Sequence, residues 1–259
     1  MARIFITGSH DGLGLMLGQL LAEEHHEVVL HARTDQRAVD TRRALPAAHD
    51  VLVADVSTLA GMRTVADAAA AHGRFDAVVH NVAIGYQEPR RRETEDGLSE
   101  LWAINVLAPY VLTALMERPA RLIYLTSGMA RGAQDTALRD TNWTARRWNG
   151  AAAYSESKYQ DVLLTLAVAR HWPSVVANAV TPGWVATRMG GPGAPDDLDL
   201  AHRTQAWLAT SEDPDALITG RVLYHGAPAK VPPGATDVEL QERLLAICRA
   251  ASGIALPHA

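Results

Sequence analysis

The chain has 259 residues, 48% apolar and 20% charged, enough for one large α/β domain with a buried core. A formal net charge of −5 offers no electrostatic footprint for nucleic acid, and the Arg90-Arg91-Arg92 run is answered at once by Glu93, Glu95 and Asp96, as in a solvated loop leading into a helix. The single cysteine, Cys248, excludes intrachain disulfides, the scattered histidines lack any HExxH-type spacing for a metal, and no window reaches bilayer length, so a cytoplasmic protein without membrane, metal or nucleic-acid partners is expected.

Short apolar runs alternate with longer amphipathic stretches throughout. The start runs directly into Ile4-Phe5-Ile6, without the pattern of a signal peptide. Strands are predicted at Arg3–Thr7, Glu27–His31, Val51–Ala54, Ala77–Asn81, Arg121–Thr126, Val175–Ala179 and Arg221–Tyr224. Most are continuous apolar runs, the signature of parallel strands covered on both faces. Helices are predicted near 13–25, 36–45, 58–72, 94–117, 152–171 and 197–209. A last helix opens at Thr236-Asp237-Val238-Glu239, a capping box of Thr236 and Glu239, and Gly253 supplies its stop. This alternation predicts a single α/β domain over 1–259, a doubly wound parallel sheet with helices on both faces. Ligands collect at the carboxyl ends of such strands.

The first predicted strand ends in Thr7-Gly8-Ser9-His10-Asp11-Gly12-Leu13-Gly14, and a helix follows. Glycines there let the backbone turn sharply and bring its N–H groups to a pyrophosphate at the positive end of the helix. Alone, the G-x-x-x-G-x-G spacing also fits an ordinary strand–helix turn. The second strand leads to Arg33, 19 residues after Gly14, where NAD sites usually place an acid against the ribose 2′-hydroxyl. A guanidinium suits a 2′-phosphate instead, which points to NADP(H) over NAD(H), unless Asp35 turns in to take the acidic role. Asp55 stands either against an adenine edge or as a cap after Val56-Ser57.

Tyr154-Ser155-Glu156-Ser157-Lys158 puts a phenol and an ammonium at i and i+4 on one helical face. A lysine cation beside a tyrosine stabilises the phenolate and brings its pKa toward the working range. Taken singly, the pair also reads as a core tyrosine plus a solvated lysine. Together these residues resemble the short-chain dehydrogenase/reductase family over nearly the whole chain. The T-G-x-x-x-G-x-G turn maps onto Thr7, Gly8, Gly12 and Gly14, and the Y-x-x-x-K pair onto Tyr154 and Lys158. The fourth-strand N-N-A-G motif falls on Asn81-Val82-Ala83-Ile84, where two of four residues match. Asn105, Ser127 and the stretch Pro182-Gly183-Trp184-Val185-Ala186-Thr187 complete the ordered set.

The resemblance implies a Rossmann-type fold, with a cofactor-binding part over about 1–126 and a catalytic part over about 127–259. It implies an NADP(H)-dependent oxidoreductase interconverting a small-molecule carbonyl and alcohol. Tyr154 would move the proton, Ser127 would hold the substrate oxygen and Lys158 would tune Tyr154 and bind the nicotinamide ribose. Asn105 would hold a water leading from Lys158 to solvent. Thr7, Gly8, Ser9, Gly12, Leu13, Gly14, Arg33, Asp55, Val56, Asn81, Val82 and Ala83 would bind the cofactor. So would Pro182, Gly183, Val185 and Thr187, at its nicotinamide. A homodimer or homotetramer through the helices at 94–117 and 152–171 is also implied. A non-catalytic dinucleotide-binding sensor is the alternative from another class, with an epimerase or dehydratase behind it.

Between Ser127 and Tyr154 lie 26 residues, about twice the family's usual interval and similar to the insert of retinol-dehydrogenase-like and protochlorophyllide-reductase-like members. Trp143 and Trp148 either wall an apolar pocket or pack this insert onto the body. Met189–Leu198, rich in glycine and proline, suits a lid.

Overall fold

The computed structural model describes residues 1–258. Its strands are β1 (Arg3–Ile6), β2 (Glu27–Ala32), β3 (Asp50–Val53), β4 (Ala77–His80), β5 (Arg121–Leu125), β6 (Val176–Thr181), β7 (Val222–Tyr224) and the two-residue β8 (Ala227–Pro228). They form one sheet in the order β3-β2-β1-β4-β5-β6-β7-β8. The first seven strands are parallel, as expected, and only β8 pairs antiparallel, on β7. β8 carries too little sequence pattern to be foreseen.

Alternation along the strands divides the apolar residues between two cores. Ile4 and Ile6 join Leu30, Val79 and Ile123 under α1 (Gly12–Glu23), α2 (Asp35–Ala44) and α7 (Arg203–Thr210). Phe5, Val29, Val78 and Tyr124 face the other way, under α3 (Leu59–Ala70), α5 (Ala108–Leu115), α6 (Gly150–His171) and α8 (Val238–Ser252). The strand order reverses between β1 and β4, which opens a crevice at their carboxyl ends.

Three helices depart from expectation. The stretch predicted as one helix over 94–117 begins at α4 (Glu100–Trp102), because Asp96-Gly97 makes a turn that pairs Glu93 with Ser99. A π-helical turn, Ala103–Leu107, then joins α4 to α5. Pro109 has no N–H for the carbonyl of Asn105 four residues back, which removes an α-helical bond where the wider turn lies. α7 starts six residues later than expected. The cap of α8 is Asp237, whose Oδ1 accepts from Glu239 N at 2.8 Å; Thr236 is not the cap. Gly253 ends α8 in the left-handed conformation, as expected.

Most apolar residues of α5 and α6 that suggested an interface are enclosed within the chain, while Leu115 is exposed. α6 is buried around its circumference by β5, β6, the 128–138 segment and α8. The tail beyond α8 is fastened to α5 by Tyr110 Oη on Ile254 O (2.8 Å), and Trp172 Nε1 reaches Pro257 O at 2.9 Å. Cys248 lies in this core, where burial raises its thiol pKa. No helix among the described residues is long and apolar enough to cross a membrane.

The insert packs on itself and onto the body, with both tryptophans in one apolar cluster beside Leu101, Ala153 and Tyr154. Asp140 accepts from Thr144 N and Ala145 N, and Arg146 lies over the Trp143 ring at 3.5 Å while pairing with Glu156. Trp148 meets Trp143 edge to face and donates to Glu88 O at 2.9 Å. Neither tryptophan lines the large cavity at the strand ends. The packing reading therefore accounts for both. Trp143→Ala should cost about 3–5 kcal/mol, lowering the melting temperature strongly in a thermal scan while the substrate profile stays unchanged. A changed profile with an unchanged melt would return Trp143 to the pocket wall.

His80, on β4, is only 2% exposed. Its Nε2 lies 3.0 Å from Thr113 Oγ1, and its ring stacks on Tyr124 at 4.8 Å. Burial lowers its pKa to about 3, against an ordinary 6.5. The folded state thus resists taking a proton that the unfolded chain accepts. Its stability is full above about pH 6.5 and declines as the pH falls toward 3, with a limiting slope of about 1.4 kcal/mol per pH unit. Urea unfolding across this range should show the decline, and His80→Phe, which keeps the stacked ring, should flatten it. Parallel curves for the two proteins would refute the assignment.

Candidate active site

The crevice holds a cavity of about 710 Å³ running across the carboxyl ends of β2, β1, β4 and β5. Its shape begins with a close approach. A Cβ on Gly8, where φ is +60°, would lie 2.7 Å from Val82 Cα, and one on Gly14 would lie 2.5 Å from Asn81 Nδ2. Only glycine lets the turn after β1 press against the end of β4. Thr7 Oγ1 accepts from Asn81 N (3.0 Å) and Val82 N (3.1 Å), while Asn81 Nδ2 donates to the carbonyls of Thr7 and Gly8 at 2.9 Å each. The two-of-four match to N-N-A-G therefore keeps the residue that clamps the turn.

Of the predicted cofactor residues, Gly8, Gly12, Leu13 and Asn81–Ala83 line the cavity, as do Arg33, Asp55 and Val56 at one end. Pro182 and Thr187 line the other. Thr7, Ser9, Gly14, Gly183 and Val185 stand behind this wall and shape it. Ser9 is fully buried, with Oγ donating to Ile6 O and accepting from His31 N, both at 2.8 Å. Gly183 leaves room for Asp196, whose Oδ2 accepts from Trp184 N at 2.7 Å and ties the 182–190 loop to the segment after it.

At the β2 end, Arg33 Nε lies 4.0 Å from Asp55 Oδ2. Asp55 Oδ1 accepts from Ser57 N, and the cap of α3 is Thr58. Asp35 sits in the exposed first turn of α2 and does not line the cavity. Sequence reasoning missed several residues that do line it. Arg37, four residues beyond Arg33, places Nη1 2.8 Å from His10 Nε2. His31 accepts from Gly8 N through Nδ1 (3.0 Å) and reaches Ala54 O through Nε2 (2.9 Å), so the neutral ring ties β1, β2 and β3 together. Burial lowers the pKa of His31, which favours that neutral form. Its period-2 relation to Arg33 was the available signal. Arg188, just before the predicted lid, approaches Asp11 at 3.8 Å across the cavity mouth.

At the other end α6 presents Tyr154 and Lys158, both buried and both on the cavity wall. Asn149 caps the helix by accepting from Ala152 N. Lys158 Nζ donates to Leu125 O and to Asp161 Oδ2, each at 2.8 Å. Burial opposes the Lys158 ammonium, but Asp161 and Tyr154 more than offset it, and its pKa is raised. Burial also raises the Tyr154 phenol above its ordinary value, with Lys158 and Ser127 pulling it down and Asp161 and Tyr86 adding to the rise. Lys158 thus pulls the phenol down, as expected, while burial, which no spacing in the sequence reveals, outweighs that pull. Ser127 follows β5 and caps a short turn by accepting from Met129 N. The Asn105 side chain is spent on Ile84 N (2.9 Å), Ile84 O (3.1 Å) and Ser157 Oγ (3.0 Å), so it braces the wall beside Tyr154. Tyr86, Ile84 and Met189 gather around Tyr154 in an apolar cluster.

Residues 8–217 match a family model described as enoyl-(acyl carrier protein) reductase. The chain is 40% identical over 261 residues to an uncharacterised oxidoreductase of Emericella nidulans, covering 99% of each. It is 38% identical to the short-chain dehydrogenase chyC of Penicillium rubens, covering 99% of this chain and 100% of the other. A crystal structure of an uncharacterised Mycobacterium paratuberculosis protein shares the fold, with a TM-score of 0.83 at 24% identity, covering 99% of this chain and 95% of that one. A glycine turn clamped at the strand reversal, a tyrosine–lysine pair on the facing helix and these likenesses lead to one conclusion: the chain is an oxidoreductase of the short-chain dehydrogenase/reductase family.

Proposed function

We propose that this oxidoreductase is NADP(H)-dependent and interconverts a carbonyl and an alcohol, with Tyr154 as the general acid and base. The observation that carries the reading is the placement of Tyr154 and Lys158 at one end of a continuous cavity whose other end holds Arg33, Arg37 and His10. The residues fit a dinucleotide. Gly8 and Gly14 have no space for a Cβ, the amino end of α1 faces the cavity through Gly12 and Leu13, and the far rim carries the two guanidinium groups.

The N–H groups of Gly12 and Leu13 would hold a pyrophosphate at the positive end of α1. Arg33 and Arg37 would hold a 2′-phosphate, Asp55 and Val56 an adenine edge, and Asn81–Ala83 the middle of the molecule. Lys158 and Tyr154 would face the nicotinamide ribose, and Pro182–Thr187 the carboxamide. The cofactor supplies or accepts the hydride. Tyr154 Oη gives a proton to the carbonyl oxygen in reduction and removes one from the alcohol in oxidation. Ser127 holds the same oxygen and stabilises its developing charge. The Lys158 ammonium stabilises the phenolate, and Asn105 keeps the Ile84 wall and Ser157 in register with it. Apolar walls of Ile84 and Met189, backed by Tyr86, exclude water from the reacting oxygen and favour a substrate with an apolar flank.

A screen of NADPH oxidation against aldehydes, ketones and quinones tests the activity. On any substrate it yields, Tyr154→Phe should lower kcat by about 100-fold or more, the usual share of a positioned acid, with cofactor binding retained. Near-normal turnover of this variant would refute the acid–base role. Cofactor titrations test selectivity. Arg33→Asp should weaken NADPH binding by about 10- to 100-fold, as expected for one charged contact of about 1.5–3 kcal/mol, with a smaller loss for Arg37→Ala. Tighter NADH than NADPH binding in the wild type, untouched by Arg33→Asp, would sink the NADP(H) assignment.

A further inference from the structure

Tyr154, Lys158 and Asp161 stand at i, i+4 and i+7 on α6, one above another on the same face. Asp161 has no part in the chemistry described so far, yet its surroundings are unusual for a carboxylate. Its side chain is 3% exposed, Oδ2 receives the Lys158 ammonium at 2.8 Å, and Oδ1 is buried without a hydrogen-bond partner. A buried, half-satisfied carboxylate is costly and persists where its charge is used.

We propose that Asp161 is a positioning residue of this site: its carboxylate is the counter-charge of Lys158 and sets the pH at which the Tyr154–Lys158 pair gives up a proton. The inference rests on the reading of Tyr154 and Lys158 given above. Lys158 is anchored twice at the end of β5, by its ammonium on Leu125 O and by its own carbonyl, which accepts from Oγ1 of the next residue, Thr126, at 2.7 Å. Among the described residues, Asp161 is the only carboxylate on it. The groups that face Asp161 are Lys158 and Tyr154 of α6, Tyr124 of β5 and Cys248 of α8. Burial holds the last two protonated, which leaves Lys158 as the one cation around it among the described residues. Burial likewise raises the Asp161 carboxyl to about 6, with Lys158 opposing the rise, so the carboxylate is charged at neutral pH.

The direction of its effect does not depend on which member of the pair loses its proton first. With Asp161 ionised, removing a proton from the phenol or the ammonium leaves an excess negative charge in a water-poor site. With a neutral amide in its place, the same loss leaves the site neutral. The proton therefore leaves at lower pH when the carboxylate is absent, as a property of the coupled pair.

Asp161→Asn, nearly isosteric, tests this. Ionisation of Tyr154 is read from tyrosinate absorbance, each protein minus its Tyr154→Phe counterpart. The Asn variant should titrate about one pH unit or more lower, and the alkaline limb of carbonyl reduction should move down with it. Asp161→Glu, which keeps the charge, should stay near the wild type. A midpoint unmoved or raised in an Asn variant that melts cooperatively overturns the proposal, whatever the loss of rate. If Asp161→Asn does not fold, Lys158→Met reads the coupling from the other side. It should raise the pH at which the Asp161 carboxyl, followed by its infrared carbonyl band, takes up a proton; no rise overturns the proposal. Full turnover in Tyr154→Phe would remove the catalytic reading and this inference together. An inactive Tyr154→Phe beside an unmoved Asp161→Asn removes only the role of Asp161.

Discussion

The contact between the Gly8 turn and Val82, at the boundary of β1 and β4, is the constraint on which the rest of the molecule depends. Gly8 and Gly14 have no room for a Cβ there, and the side chains of Thr7 and Asn81 exchange hydrogen bonds across the same boundary. Because the backbones meet so closely, the chain leaving β1 enters α1 on one face, and the chain leaving β4 turns toward the π-helical segment on the other. The cavity is the space left between those departures. His31 extends the clamp sideways, tying Gly8 to Ala54, and Asn105 extends it the other way, holding both backbone groups of Ile84. One line of polar contacts thus sets the floor from the arginine-lined end to Tyr154.

Electrostatics at the two ends differ in kind. Arg33 and Asp55 stand half exposed and 4.0 Å apart, where solvent screens their attraction and either is free to take another partner. Lys158 and Asp161 are buried at 2.8 Å, where separating the charges is costly and each holds the other ionised. A half-exposed end suits exchange of a ligand, and a buried, paired end suits control of a proton. Both arise from the same sheet because the end of β2 is open to solvent whereas β5 is roofed by α6.

Local signals account for much of this. Continuous Val-, Ile- and Leu-rich runs located all seven parallel strands to within two residues, since burial on both faces favours apolar side chains at most positions. Gly8 and Gly14 were legible because a close backbone approach needs glycine, and Thr7 and Asn81 through the resemblance to the family's motifs. Tyr154 and Lys158 were legible because helical periodicity puts them on one face. Where local signals misled, a turn, a proline or a contact elsewhere in the chain was responsible. Helix 94–117 broke because Pro109 withholds a donor and Gly97 turns the chain back on Ser99. Ser9, a candidate ligand by position, faces inward because His31 and Ile6 take up its hydroxyl.

The residues alone thus determined the class of fold, the strand count up to β7, the glycine turn and the placing of Tyr154 and Lys158 on one helical face, because each is encoded by spacing along the chain. Tertiary structure alone decided which polar groups meet. Arg37 and His10 share one rim, Asn105 braces Ile84 and not a bare helix face, and the insert's tryptophans close on each other and not on the cavity. It also decided the balance at Tyr154. Spacing predicts that a lysine acidifies a tyrosine, but the depth of burial outweighs that pull. Depth is a property of everything packed around α6, from β5 to α8, and no segment of sequence carries it by itself.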